Sequence, residues 1–151
     1  AASDVYKRQP AYLLAALYWP AVEASAQQLT LRGESPIQAM HSAGQQVVQQ
    51  ACQHLAIPKR FSLAMRDIWD LQPRLERMQP KKIRDHLAHR WFRASFDLRL
   101  LRGQTDTSCD DCSGFWIDQQ KRYPELVGSA GARREARGER RPRRRRRNRA
   151  L

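Results

Sequence analysis

The sequence predicts an all-α protein on three observations. Apolar residues recur every three or four positions through successive segments, the period of a helix face. No sustained alternating run rich in Val, Ile and Thr is present to build a strand. Prolines stand where segments begin, at positions where a helix needs no donor. The expected architecture is an irregular bundle of four to six helices with short connections, followed by a disordered arginine-rich tail.

The elements follow in chain order. Ala11 to Trp19 is a short apolar segment ended by Pro20, with Ala21 to Leu29 continuing as helix into an Arg32-Gly33-Glu34 turn. Ser35-Pro36 is a start signal, because Ser caps orphan amides and Pro fits the first helical position. The stripe behind it is Ile37, Met40, Gly44, Val47, Val48, Ala51 and Leu55. Pro58 restarts the chain into Phe61, Ala64, Met65, Ile68, Leu71 and Leu75, with Pro73 kinking or ending that helix. A fourth segment from Pro80 carries Ile83, Leu87, Trp91, Ala94, Leu98 and Leu101. Such stripes are read as core, so the polar faces carry the functional interest.

Composition narrows the class of partner. The chain has 151 residues and a formal charge of +13, which points to a polyanion. Eleven arginines against Glu135 and Glu139 put +9 of that charge in residues 131–151, leaving +4 for the first 130. That tail holds no large apolar residue before its terminal leucine and is expected to stay disordered until it meets a polyanion. The longest apolar run is too short to span a bilayer. Three cysteines are too few, and of the wrong parity, for a disulfide scaffold, so a reducing, cytoplasmic setting is expected.

Residues 1–9, Ala-Ala-Ser-Asp-Val-Tyr-Lys-Arg-Gln, match the translation of a transposase library adapter, and no initiating Met precedes them. They are set aside as an adapter-derived artefact. The expected division is then a helical region over 10–127 and the tail over 128–151, the chain being the 3′ end of an open reading frame.

Candidate RNA-binding residues in the helical part are Lys59, Arg60, Arg66, Arg74, Lys81, Lys82, Arg90 and Arg93, with Arg77, Arg84, Arg99 and Arg102 on the same basic faces. Phe61, Trp69, Trp91, Phe92 and Phe96 interleave with them. Cations that neutralise phosphate beside rings that stack on bases suit single-stranded RNA. Asp67, Asp70, Glu76, Asp85 and Asp97 allow a plain solvated face instead, and both readings stay open here. In the tail the candidates are Arg133, Arg134, Arg137, Arg140, Arg141, Arg143, Arg144, Arg145, Arg146, Arg147 and Arg149, for which anionic lipid is an alternative target and codon bias a non-functional origin.

Three strings stand in order and at a defined spacing: Ala51-Cys52-Gln53-His54-Leu55-Ala56-Ile57-Pro58-Lys59-Arg60, Arg66-Asp67-Ile68-Trp69-Asp70-Leu71-Gln72 and Phe92-Arg93-Ala94-Ser95-Phe96-Asp97-Leu98. Together they closely resemble the C-terminal part of bacterial poly(A) polymerases. Leu17-Tyr18-Trp19-Pro20 resembles the start of that region, and Phe115-Trp116-Ile117-Asp118-Gln119-Gln120 sits where the family has a tryptophan-rich segment. The arginine-rich end fits as well. The family is similar to CCA-adding nucleotidyltransferases, in which a catalytic head precedes helical neck, body and leg regions. The resemblance implies an RNA-holding body and leg portion of an enzyme that adds AMP from ATP to RNA 3′ ends. It implies single-stranded RNA as partner, with ATP and Mg²⁺ serving the whole enzyme and no cofactor or small-molecule substrate for this chain. A free-standing basic helical nucleic-acid-binding module is the alternative.

The catalytic head is read as absent. In such enzymes paired aspartates hold Mg²⁺ after a Gly-Ser turn on a small sheet. Here Ser113 precedes Gly114, and Asp110-Asp111 falls in an expected loop over 103–114. No catalytic or metal residue is therefore assigned. Cys109-Asp110-Asp111-Cys112 could supply two zinc ligands, but Cys52, His41, His54, His86 and His89 form no second closely spaced pair, so the segment is read as an ordinary loop and the histidines as surface or core.

Overall fold

The computed structural model describes residues 9–105 and 110–139. Among these residues there are seven α-helices and no strand: α1 Pro10–Leu31, α2 Pro36–His54, α3 Lys59–Arg77, α4 Ile83–Ala88, α5 Phe92–Gly103, α6 Asp110–Arg122 and α7 Ser129–Glu139, with a 3₁₀ turn at Pro80–Lys82 before α4. The all-α expectation holds, and the helix count exceeds it.

Helices α1, α2 and α3 pack on one another around the first core. From α1 it takes Tyr12, Ala15, Trp19, Val22 and Ala26, a three-four spacing carried straight through Pro20. The sequence places the end of the apolar segment at Pro20 with helix continuing over Ala21 to Leu29, and the two parts form one unbroken helix. The Pro20 ring is exposed, so the lost amide bond falls on the outer side while the buried stripe holds the inner side in register. Pro73 likewise lies inside α3, which runs on to Arg77. There Gln72 donates through Nε2 to the carbonyls of Ile68 and Ser95, both at 3.0 Å, tying the proline-bearing turn to α5. The start of α2 is as read: Ser35 accepts from the Gln38 amide at 3.3 Å and Pro36 opens the helix.

The fourth apolar segment divides. Helix α4 stops at Ala88, His89 is extended, and its Nδ1 accepts from the Trp91 amide at 3.0 Å, so a side chain satisfies the backbone where α5 begins. Helix α5 then serves two cores. Ala94 and Leu98 face the first, and Phe92 and Phe96 join Leu75, Leu87, Cys112 and Trp116 in the second. The loop expected over 103–114 is in part the start of α6, because Cys112 and Trp116 are one helical turn apart and both fully buried. Trp116 donates to the Leu75 carbonyl at 2.8 Å, and the Cys112 thiol lies 3.5 Å from the same oxygen. Cys109 lies outside the described residues. No helix among the described residues is long and apolar enough to cross a membrane.

Part of the segment expected to be a disordered tail is helical: α7 spans Ser129–Glu139, while 140–151 lie outside the described residues. Gly128 makes the turn into α7 at φ 70°, where a side chain would be strained, and its amide donates to the Leu87 carbonyl at 2.9 Å. Gly131 then lets α7 lie against Arg90, since a Cβ there would meet Arg90 Cγ at 3.0 Å.

Candidate nucleic-acid interface

These contacts build a cleft of about 600 Å³ where the first turns of α1 and α3, the His89–Trp91 break and α7 meet. Its lining includes Arg60 and Phe61 from α3, Arg90 and Trp91 from the break, and Arg134 from α7. Leu63, Ala64, Pro10, Ala11 and Ala130 add apolar wall, and Asp67 and His89 add polar groups. Arg60 lies with its guanidinium carbon 4.8 Å from the Phe61 ring centroid, and Arg90 lies 5.3 Å from that of Trp91. Each ring is thus covered by a cation held at an exposed site by about 0.5–1 kcal/mol. A base arriving on the ring can displace the guanidinium, which then remains beside the phosphate of the same nucleotide.

A second cleft of about 350 Å³ shares Asp67 and His89 with the first and is lined by Arg74, Arg77 and Lys82 as well as Asp70, Asp85 and His86. The two clefts therefore adjoin, with cations along both. Burial raises the Asp67 carboxyl above the usual range, an effect that Asp70 reinforces and that His89, Arg66 and Arg134 oppose. Burial lowers His89, with Arg134 and Arg74 acting the same way and Asp67 opposing. Burial also lowers His86, helped most by Arg74.

The candidates from sequence are sorted by this geometry. Arg60, Arg90 and Arg134 converge on the first cleft, and Arg74 and Lys82 line the second. Lys82 also lies 3.8 Å from Asp85. Lys59, Lys81 and Arg133 are exposed outside both linings. Arg66 points to His41, 3.5 Å away, which in turn contacts Asp70 at 3.2 Å. Arg93 is turned inward, donating to Gln120 at 2.7 Å with Asp97 at 3.8 Å, and so joins α5 to α6. The side chain of Arg137 and all of Arg140, Arg141, Arg143, Arg144, Arg145, Arg146, Arg147 and Arg149 lie outside the described residues.

Two groups placed on the basic, ring-bearing face belong to the interior instead. Arg99 is only 1% exposed, and Arg102 pairs with Glu76 at 2.8 Å over the Trp19 ring. Trp69, Phe92 and Phe96 are buried, which leaves Phe61 and Trp91 as the part-exposed rings of that set. Sequence reading missed the part of His89, whose only local signal is a polar residue two positions before an aromatic one in a helix break. Among the described residues no group of three or more His, Cys, Asp or Glu could hold a metal ion.

Residues 32–150 match the family described as polymerase A arginine-rich C-terminus. Poly(A) polymerase I of Salmonella typhi is 37% identical over 118 residues, covering 76% of this chain and 25% of the relative. The protein of that name from Escherichia coli O157:H7 is 38% identical over 102 residues, 67% of this chain and 22% of the relative. That from Haemophilus influenzae is 31% identical over 134 residues, 88% of this chain and 28% of the relative. This chain spans about a quarter of the length of these relatives. Matched over most of its length, the chain belongs to the polymerase A arginine-rich C-terminus family.

Proposed function

We propose that this chain is the RNA-holding portion of a polymerase that adds AMP from ATP to RNA 3′ ends, with catalysis carried by residues outside it. The observation that carries this reading is the convergence of Arg60, Arg90 and Arg134 with the part-exposed rings of Phe61 and Trp91 on one cleft. An apolar wall with cations at its rim accepts a base inward and phosphates outward, the arrangement single strands need. The adjoining cleft with Arg74, Arg77 and Lys82 continues the cationic path for the next nucleotides. Binding of this kind raises the local concentration of a 3′ end without taking part in bond making. ATP and Mg²⁺ would be used by the whole enzyme, not held by this chain.

The test compares Arg60→Gln/Arg90→Gln/Arg134→Gln with Arg32→Gln/Lys121→Gln/Arg122→Gln, three exposed cations outside the cleft, so that both variants lose the same charge. Binding to a labelled single-stranded decamer of adenosine is measured by anisotropy. The cleft variant is expected to lose roughly tenfold or more in affinity and the control much less, since each specific phosphate or stacking contact exceeds diffuse attraction. Equal losses would reduce the cleft to general charge.

A further inference from the structure

Asp67 does not belong in a surface that only grips phosphate. A carboxylate repels a phosphodiester, and this one lines both clefts, the first together with Arg60 and Arg134 and the second together with Arg74. His89 shares both linings. Its proton is fixed by the backbone: the Trp91 N–H can only donate, so the Nδ1 it reaches at 3.0 Å accepts, and the neutral ring carries hydrogen on Nε2. Burial favours that neutral ring. The cleft thus offers an acceptor and a donor among aromatic and apolar side chains, a pattern suited to the edge of a base and unsuited to a phosphate.

We infer that Asp67 and His89 read the edge of the base lodged in this cleft, Asp67 accepting from its exocyclic amino group and His89 Nε2–H donating to the adjacent ring nitrogen. The inference rests on the reading of the cleft as an RNA site and adds the class of nucleotide it takes. An amino group beside a bare ring nitrogen occurs on the Watson–Crick edges of adenine and cytosine, and in guanine only at the N2–N3 edge against the ribose; of the two open edges, adenine offers the larger face to Phe61 and Trp91. Asp67 and His89 are in this sense specificity residues, distinct from the arginines that set affinity.

The experiment removes the amino group from the RNA and the acceptor from the protein. The full chain and its Asp67→Ala variant are titrated with a decamer of adenosine and a decamer of purine riboside, which has the same backbone and ring but no amino group. Asp67→Asn, close in size to the native side chain, serves as the second variant, and circular dichroism verifies folding. The native chain is expected to prefer the adenosine decamer by roughly tenfold or more, the scale of one hydrogen bond to a charged group. Asp67→Ala should abolish that preference, bringing the ratio of the two affinities to about one whatever the shared gain from losing a charge beside phosphate, with Asp67→Asn falling between. A native chain that does not distinguish the two RNAs, or an Asp67→Ala change of the same size on both, overturns the inference. The cleft itself is judged separately: if Arg60→Gln/Arg90→Gln/Arg134→Gln binds both decamers as the native chain does, the RNA is held elsewhere.

Discussion

Trp69 of α3 lies across Gly44 of α2 so closely that a Cβ on Gly44 would stand 3.2 Å from the indole ring. The same indole donates to the carbonyl of Ala15 on α1 at 3.0 Å, so one fully buried side chain fixes three helices. Gly44→Ala adds volume where the ring cannot yield without disturbing that hydrogen bond and is expected to cost about 1–3 kcal/mol. Trp69→Phe removes the donor and part of the ring, for a loss of about 2 kcal/mol by cavity formation. Urea unfolding midpoints measure both. If either variant matches the native midpoint, the three-helix contact is not a stability determinant.

Because Trp69 appears in the sequence only as one aromatic among basic residues, its burial shows what sequence could and could not reveal. Periodicity located α1 to α3 and their inner faces, since Ala15, Val47 and Ile68 recur at the helical period and are all buried. The same periodicity cannot tell whether a proline ends a helix or is carried through it, because Pro20 and Pro73 are tolerated through tertiary packing rather than local preference. It also missed α6, where only Cys112 and Trp116 mark an inner face. The basic residues were legible as a set. Their sorting into a cleft with Arg60, Arg90 and Arg134 was not, as it depends on the turn at Gly128 and the approach at Gly131, contacts between residues distant in sequence.

His86 provides a pH handle on the second core. It is 9% exposed, with its ring 6.1 Å from that of Trp116, and burial holds its pKa below the ordinary value of about 6.5. The unfolded chain therefore binds a proton at a pH where the folded chain resists it. Stability should be unaffected by this group above about pH 6.5 and should fall as pH drops from there through the folded pKa. His89 acts with the same sign, while Asp67, shifted upward, acts with the opposite sign in a more acidic range. Thermal unfolding at pH 7.5, 6.5 and 5.5 is expected to show the decline, and His86→Leu to make it shallower. An undiminished slope in that variant would exclude His86 as its source.

Gly131 connects the packing of α7 to the cleft. Any larger residue there must displace the stem of Arg90, whose Cγ and Cβ would lie 3.0 and 3.4 Å from the new Cβ. Gly131→Val should lift α7 and move Arg134 and Arg90 together. Affinity for a single-stranded decamer is expected to fall roughly three- to tenfold, about the share of one or two lost contacts. The effect on the unfolding midpoint should be small, because the first core lies elsewhere. A stability loss with unchanged RNA affinity would separate α7 from the interface.

The arginines beyond Glu139 lie outside the described residues, and their proposed role is tested apart from that of the cleft. Eight of the eleven tail arginines lie there, at 140, 141, 143 to 147 and 149. Each that meets a phosphate releases counterions, adding about −0.7 to the slope of log affinity against log salt on single strands. Phosphate contacts carry no sequence information, so they add affinity on every sequence alike. A chain ending at Glu139 keeps α7 and the cleft while losing those eight charges. Across a salt series on an adenosine decamer and on a mixed-sequence decamer, it should bind more weakly, with a flatter slope, and by the same factor on both RNAs. The adenosine preference assigned to Asp67 and His89 should survive the truncation, because it arises from a base edge rather than from phosphates. An unchanged salt slope would show that the terminal arginines do not touch the RNA, and a lost base preference would move the reading of bases from the cleft into the tail.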